Sequence, residues 1–442
     1  MFPDHQYLYE MYQADKIENI DKSHLKPVDI EEPLNHLFTL LPALEAEVIG
    51  YSYLGQAIRK FVWGDGPLCV LCWSQMHGDE STATAAIIDV LNTLCSRNDD
   101  KSILALKETL TIHFVPMINP DGAMKIQREN AQGIDINRDA RALQSPEGKT
   151  LKGLIDILKP SLCFNLHDQN RYYRIANSQQ PTTLAFLVPE GDEAGTLTEN
   201  RLYAISLLDS VIGDLQEFMN GGIAKYSDTY SPRAFGDYAS SVGVPCILIE
   251  SGEYISDPNR QQARWLNYLV LMKMFHLLAT NSQERSAPHY KNLPDNIENG
   301  MSDLLIRNVT VHRTDIDYML DMSLRIEGNK GYIYELGDLQ QQGGFEQFDA
   351  NGAMYLTGMT FEVTQPLDLT DAAYINLLKQ GYCRFGGDIS QINNLSSWPI
   401  VKGLGFNEPA KFWSEGLPPT CLFKQDDYIV AVLLKGNLIV LD

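Results

Sequence analysis

The stretch Leu68-Cys69-Val70-Leu71-Cys72-Trp73-Ser74-Gln75-Met76-His77-Gly78-Asp79-Glu80 passes from an unbroken apolar run into a short polar loop. A run this short, bounded by polar residues, reads as a strand buried on both faces, the pattern of a parallel sheet. Residues 81–94 then read as a helix, with apolar Ala85, Ile88 and Leu91. The pattern recurs downstream. Residues 111–116, 161–166 and 244–249 are apolar strands, while 151–158, 202–218 and 260–278 read as helices, the last strongly amphipathic. Strands alternating with helices predict an α/β fold, a mixed, largely parallel sheet with helices on both faces. In such sheets active sites gather at the carboxyl ends of the strands. Four polar residues obey that rule: His77, Asn119, His167 and Glu250 each follow an apolar run closely.

Upstream, residues 48–53 and 57–63 alternate like the two arms of a hairpin. Residues 1–45 are acidic and polar, an irregular or helical lead-in with Pro27 and Pro33. Around 281–299 the chain turns polar and carries Pro288 and Pro294, as a linker should. Beyond it, residues 304–311, 322–326, 331–334, 354–356 and 428–434 are short strands between Gly, Asn and Asp turns. They predict a C-terminal all-β domain, a sandwich or half-barrel. The expected organisation is a lead-in over 1–45, a catalytic domain over 46–282, a linker over 283–299 and a β-sandwich-like accessory domain over 300–442.

With 442 residues, 44% hydrophobic and 21% charged, the chain is that of a globular protein too long for one core. Its formal charge is −22, from 57 acidic against 35 basic residues, and such a surface repels nucleic acid and anionic membranes. Neither is an expected partner. No basic segment followed by an apolar one opens the sequence, and no stretch approaches the length of a membrane span, so a cytoplasmic location is expected. The seven cysteines are scattered and mostly lie in apolar runs, which reads as buried free thiols. Cys69 and Cys72 form a C-x-x-C pair, but within an apolar strand, where burial is a simpler account than redox or metal chemistry.

A histidine and a glutamate three residues apart can converge on one ion where a loop turns into a helix. Catalytic zinc takes three protein ligands, imidazole or carboxylate, and keeps one position open. His77 and Glu80 satisfy the local part, and Gly78 lets the loop bend. Such a pair is short enough to arise by chance, so a third ligand is needed. His167 is the natural candidate, at a strand end and before the polar run 168–171; a satisfied core histidine is the alternative. Hydrolysis also needs a general base and positive charge where an oxyanion develops. Glu250 closes an apolar strand, where desolvation would raise its pKa toward that of a base. An N-cap or a salt-bridge partner is the alternative there.

Asn119-Pro120-Asp121-Gly122, then Arg128, then Gly133-Ile134-Asp135-Ile136-Asn137-Arg138-Asp139 closely resembles the zinc carboxypeptidase (metallocarboxypeptidase) family. With His77-x-x-Glu80 before them and His167 and Glu250 after, the ordered set spans roughly residues 45–280. The resemblance implies a zinc carboxypeptidase that hydrolyses the C-terminal bond of a peptide through metal-activated water. In it one zinc ion is held by His77, Glu80 and His167, with Glu250 as general base and then proton donor to the leaving amine. Arg128 would stabilise the oxyanion. Asn137 and Arg138 would hold the terminal carboxylate, which a guanidinium grips bidentately; the alternative for Arg138 is a pair with Asp135 or Asp139. Tyr230, rather than Tyr226, is taken as the substrate-side tyrosine. The sequence departs from the family pattern at Asn165 and Asp168, which bring an extra carboxylate beside His167. Side-chain preference would be set near Gly236 and Asp237, where a missing side chain implies a roomy pocket.

The C-terminal region, through residues 303–310, 348–352, 429–432 and 438–442, more weakly resembles the small β-domain of amidohydrolases; a generic sandwich is the alternative. Shaping the substrate entrance and mediating homo-oligomerisation are the two roles open to it. Two rival functions stand beside the carboxypeptidase. One is an N-acyl amino acid deacylase resembling the aspartoacylase and succinylglutamate desuccinylase branch, suggested by Ile249-Glu250-Ser251-Gly252. The other is a metal-free binding protein on the same fold, which predicts a lost ligand or base. The expected partner is a peptide or acyl amino acid with a free carboxylate.

Overall fold

Along residues 45–251 the apolar runs assemble into one eight-stranded sheet. The computed structural model describes residues 4–219, 222–227, 229–280, 288–313, 315–328, 330–403 and 419–441. By its internal contacts the chain divides into two units, Met1–Glu298 and Asn299–Asp442.

In chain order the first unit opens with α1 (His5–Asp15), α2 (Pro27–Leu40), β1 (Glu45–Tyr51), β2 (Ala57–Trp63) and β3 (Leu68–Ser74). It continues through α3 (Thr82–Ser96), α4 (Lys101–Thr109), β4 (Leu110–Val115), α5 (Pro120–Lys125), α6 (Pro146–Leu158) and β5 (Leu162–Asp168). Then come β6 (Arg174–Ile175), β7 (Leu184–Leu187), α7 (Glu199–Phe218), β8 (Ile223–Lys225), α8 (Phe235–Ser241) and β9 (Cys246–Ser251). The unit closes with α9 (Gln261–Thr280), α10 (Pro288–Lys291) and β10 (Asn296–Ile297).

The sheet order is β1-β2-β4-β3-β5-β9-β7-β8. Its middle, β4-β3-β5-β9, is parallel throughout, and the β1–β2 hairpin adds an antiparallel edge. The strand residues alternate between two cores. Val70, Cys72, Phe114, Phe164, Leu166 and Ile249 face one core with α1, α2, α3, α7 and α9. Leu71, Trp73, Val115 and Cys163 face the other with Ile136, α6 and α8. Burying one such side chain stabilises by about 1.5–3 kcal/mol, so a sheet covered on both faces is strongly fixed. The strand ends that carry the site are therefore rigid.

The expected amphipathic helix over 260–278 is corrected by α9, which is buried on every side from Ala263 to Leu278. Its polar residues find partners inside. Arg264 donates from Nε and Nη2 to Asp89 of α3, each at 2.7 Å, and from Nη2 to the Ile17 carbonyl. Asp89 in turn accepts from the Ile17 amide, so the segment after α1 is tied to two helices of the core. Cys69 and Cys72 lie on β3 as free thiols, and burial pushes both up in pKa. Part of the stretch read as a linker, residues 288–297, carries α10 and β10, and β10 pairs with β6. Residues 281–287 lie outside the described residues.

The second unit is built on another eight-stranded sheet. Met301–Arg313, Ile316–Glu327 and Lys330–Gly337 form an antiparallel meander, and Gly343–Asp349 joins Met301–Arg313 in parallel. Met354–Leu356 leads to Cys421–Gln425, Tyr428–Leu434 and Asn437–Val440. This sheet is of the half-barrel kind; the unit also has two two-stranded sheets and, among its described residues, one α-helix, Asp371–Lys379, packed through Tyr374 and Leu378. Among the described residues of the chain no helix is long and apolar enough to cross a membrane.

Candidate metal centre

β3 ends at Ser74, and the chain then turns through Gln75, a non-glycine residue with φ of +49°. Gln75 holds the turn by donating from Nε2 to the carbonyls of Gly78 (2.9 Å) and Leu25 (2.8 Å). Gly78 is needed for space: a Cβ there would lie 2.0 Å from the Gly122 carbonyl carbon. The Asn-Pro-Asp-Gly segment supplies that neighbour. Asn119 caps α5 by accepting from the Gly122 amide, and Asp121 accepts from Ser52, Leu54 and Gln56. The segment thus packs against the His77 loop, and Asn119 Nδ2 also donates to the Met76 carbonyl.

The loop delivers His77 and Glu80, and β5 delivers His167. His77 Nδ1 lies 2.7 Å from Glu80 Oε1, and His167 Nδ1 lies 2.8 Å from Glu80 Oε2. One donor atom from each residue falls within 4.8 Å of the others. All three side chains are buried. Asp135 Oδ1 lies 3.0 Å from His77 Nε2, which fixes the ring with Nδ1 toward Glu80. Two imidazole nitrogens and a carboxylate converging in this way, one ring oriented from behind, fit a zinc ion with an open position. The charges agree. Burial alone would lower the His77 pKa, but Glu80 and Asp135 outweigh it and push the ring up to about 9. Burial wins at His167, whose pKa falls. Desolvation would raise Glu80, yet the two histidines hold it well below the usual carboxylate range.

Glu250, the penultimate residue of β9, is in register with His167 across the strand pair. Burial first, and then the Glu80 carboxylate, push its pKa well above the usual range. Arg128 donates to Glu80 from Nη1 (3.2 Å) and to Asp135 from Nε (3.1 Å). Asn137, in the single 3-10 turn Ile136–Arg138, places Nδ2 3.4 Å from His167 Nε2 and accepts from the Phe235 amide of α8. Arg138 is exposed and, among the described residues, donates only to the Asn137 carbonyl; neither Asp135 nor Asp139 forms an ion pair with it. Asp139 is occupied by Gln144 and Ser145 instead.

A cavity of about 350 Å³ gathers His77, Glu80, Arg128, Asn137, Arg138, His167 and Glu250. Tyr230 is not among its lining residues. Tyr226 is, with its ring 6.4 Å from that of Tyr173, another lining residue. The roomy pocket expected at Gly236 is corrected too: a Cβ there would sit 3.0 Å from Pro189 and 3.4 Å from Asn165, so the position is crowded. Asp168 does not join the donor cluster. It accepts from the Thr82 amide and hydroxyl at the start of α3 and faces Arg260 at 3.6 Å. Sequence reasoning assigned no role to Asp135 as the orienter of His77, although it stands in the Asp-x-Asn-Arg segment. It also passed over Ser23, His24, Tyr173 and Arg260, which line the cavity from elements brought near only by folding.

The family model described as zinc carboxypeptidase matches residues 31–152, which include His77, Glu80, Arg128, Asn137 and Arg138. The chain is 26% identical over 235 residues to carboxypeptidase E of Caenorhabditis elegans, covering 47% of this chain and 48% of that protein. It is 25% identical over 272 residues to carboxypeptidase D of Homo sapiens, covering 56% of this chain and 17% of that one. The chain thus spans less than half the length of these relatives. A metallo-carboxypeptidase structure from Burkholderia cenocepacia superposes with a TM-score of 0.49 at 16% identity, over 59% of this chain and 71% of that one.

Proposed function

The family match and the curated relatives support the metallocarboxypeptidase family for this chain, and from that premise we propose that it is a zinc-dependent carboxypeptidase releasing the C-terminal residue of a peptide. The observation that carries the reading is one cavity holding the His77–Glu80–His167 cluster, the desolvated Glu250 and the Arg138 guanidinium, which forms no ion pair among the described residues. His77, Glu80 and His167 would hold the zinc, whose Lewis acidity activates water and polarises a carbonyl.

The chain's own residues do the rest. Arg138 and Asn137 bind the substrate's terminal carboxylate and so select the last peptide bond. Arg128, fixed by Asp135 and Glu80, turns its remaining N–H groups to the scissile carbonyl oxygen and stabilises the charge that develops there. A Glu250 carboxylate oxygen takes the proton of the attacking water and returns it to the departing amine nitrogen as the C–N bond breaks. Desolvation makes that carboxylate a stronger base than one in water.

Zinc-loaded protein should hydrolyse peptides with a free C-terminus. Glu250→Gln should lose at least about a thousandfold in kcat while retaining its zinc, on the scale of a missing general base plus its charge. Turnover of N-acetyl- or N-succinyl-amino acids with no turnover of any peptide would sink the carboxypeptidase reading. Arg138→Ala should raise KM by about tenfold to a hundredfold with a smaller change in kcat, as expected for a charge-assisted contact worth about 1.5–3 kcal/mol.

A further inference from the structure

The cavity has a wall that the family match does not reach. Ser23 and His24 line it, yet they precede residue 31, where the match begins. Their loop is stitched to the metal-centre loop at four points. The Leu25 amide donates to Ser81 Oγ (3.0 Å), Gln75 Nε2 donates to the Leu25 carbonyl (2.8 Å), Ser81 Oγ donates to the Ser23 carbonyl (3.4 Å), and His24 Nδ1 lies 3.1 Å from the Asp79 carbonyl.

The two sides of the cavity come from opposite faces of the sheet. Ile136, beside Asn137 and Arg138, is buried in the core of one face, and Leu25, beside His24, in that of the other. A substrate whose terminal carboxylate lies on Arg138 therefore extends its acyl side across the strand ends toward His24 and Asp79. His24 and Asp79 offer acceptors there. A carbonyl partner requires His24 Nδ1 to carry the hydrogen, which leaves Nε2 of the neutral ring a lone pair. No hydrogen bond reaches that nitrogen among the described residues. Asp79 also lines the cavity, and its buried Oδ1 has no hydrogen-bond partner. Of the arginines lining the cavity, Arg260 is already engaged by Glu253, Asp168 and the carbonyls of Ser251 and Gln169, and Arg128 by Glu80 and Asp135.

We propose that His24 and Asp79 form an acyl-side subsite that accepts N–H donors, selecting aminoacyl substrates with a free α-amino group over N-acetyl and N-succinyl ones. This rests on the carboxypeptidase reading for the direction in which the substrate lies. A succinyl group would bring a second carboxylate against Asp79.

The test uses full-length zinc-loaded protein and three substrates sharing one C-terminal residue: a dipeptide, the N-acetyl-amino acid and the N-succinyl-amino acid. The wild type should favour the dipeptide. In His24→Ala and Asp79→Asn the dipeptide-to-acetyl ratio of kcat/KM should fall about fivefold or more, the size of one lost hydrogen bond, carried mainly by KM. His24→Asn should restore part of it, and zinc content should not change. An unchanged ratio in both variants, or a wild type preferring the succinyl substrate, overturns the proposal. Calorimetric binding of the same dipeptide and acetyl compound to Glu250→Gln, with and without His24→Ala, decides the point without turnover. Failure of the wild type to hydrolyse any of the three would count against the carboxypeptidase reading instead.

Discussion

At the scale of single residues, the candidate metal centre depends on groups outside its three donor residues. Asp135 holds the ring of His77 and the guanidinium of Arg128 together. Asp135→Ala should weaken zinc binding by about ten- to a hundredfold, as for other second partners of metal-bound histidines, measurable by competition with a chelator. Gly78→Ala should be worse than its size suggests, because the methyl group meets backbone rather than a mobile side chain. A loss of about 1–3 kcal/mol in urea titration, together with weaker zinc binding, is the expected result. Residues of this kind mark the edge of what the sequence discloses. His77, Glu80, His167 and Glu250 were legible because a buried strand announces itself and its end is a defined place. Asp135 stood in plain view inside a motif, but its partner was fixed only by the fold. His24 and Arg260 carried no signal, since nothing local ties either to a strand end. Tyr226 and Tyr230 are close in sequence, and only the path of the chain after β8 distinguishes them.

Among the elements, the long parallel strands read well from sequence and the short ones did not. β3, β5 and β9 are largely apolar runs, whereas β7 and β8 span four and three residues and pass for loop. The misreading of α9 has a different cause. Its Arg264, Asn267, Lys273 and His276 look like a solvated face, but all are buried. Arg264→Met alone should strand Asp89 and cost about 3–5 kcal/mol, while adding Asp89→Leu should recover much of it. Equilibrium unfolding of the single and double variants would measure both. His276 adds a pH dependence. Burial, with Lys273 adding to it, lowers the pKa to about 4. Between about pH 6.5 and 4 the unfolded chain binds a proton there that the folded chain does not, so stability is complete above that window and falls as pH drops through it. Replacing His276 with leucine should flatten this acid slope by on the order of 1–3 kcal/mol, read from unfolding at a series of pH values.

For the whole molecule, the two units have separate cores, and the donor cluster lies entirely in the first. Calorimetry should resolve two unfolding transitions. Removing zinc should lower only the midpoint of the unit that contains His77, by mass action of a ligand that binds the native state. Equal shifts in both transitions would show that the units unfold as one. The acidic balance of 57 to 35 was read as excluding polyanionic partners, and it leaves Arg128, Arg138 and Arg260 as the concentrated positive charge of the cavity.

The Ile17–Asp89–Arg264 tie bears on how the protein comes to life. Arg264 leaves the ribosome long after the site's first residues, and until it arrives Asp89 has no cation to meet. The segment that leads from α1 to His24 is then held by less than its full set of bonds. Glu250 itself emerges only shortly before Arg264. A nascent chain thus carries neither Glu250 nor a secured His24 segment until most of the first unit has been made, so chain order confines assembly of the cavity to the finished unit.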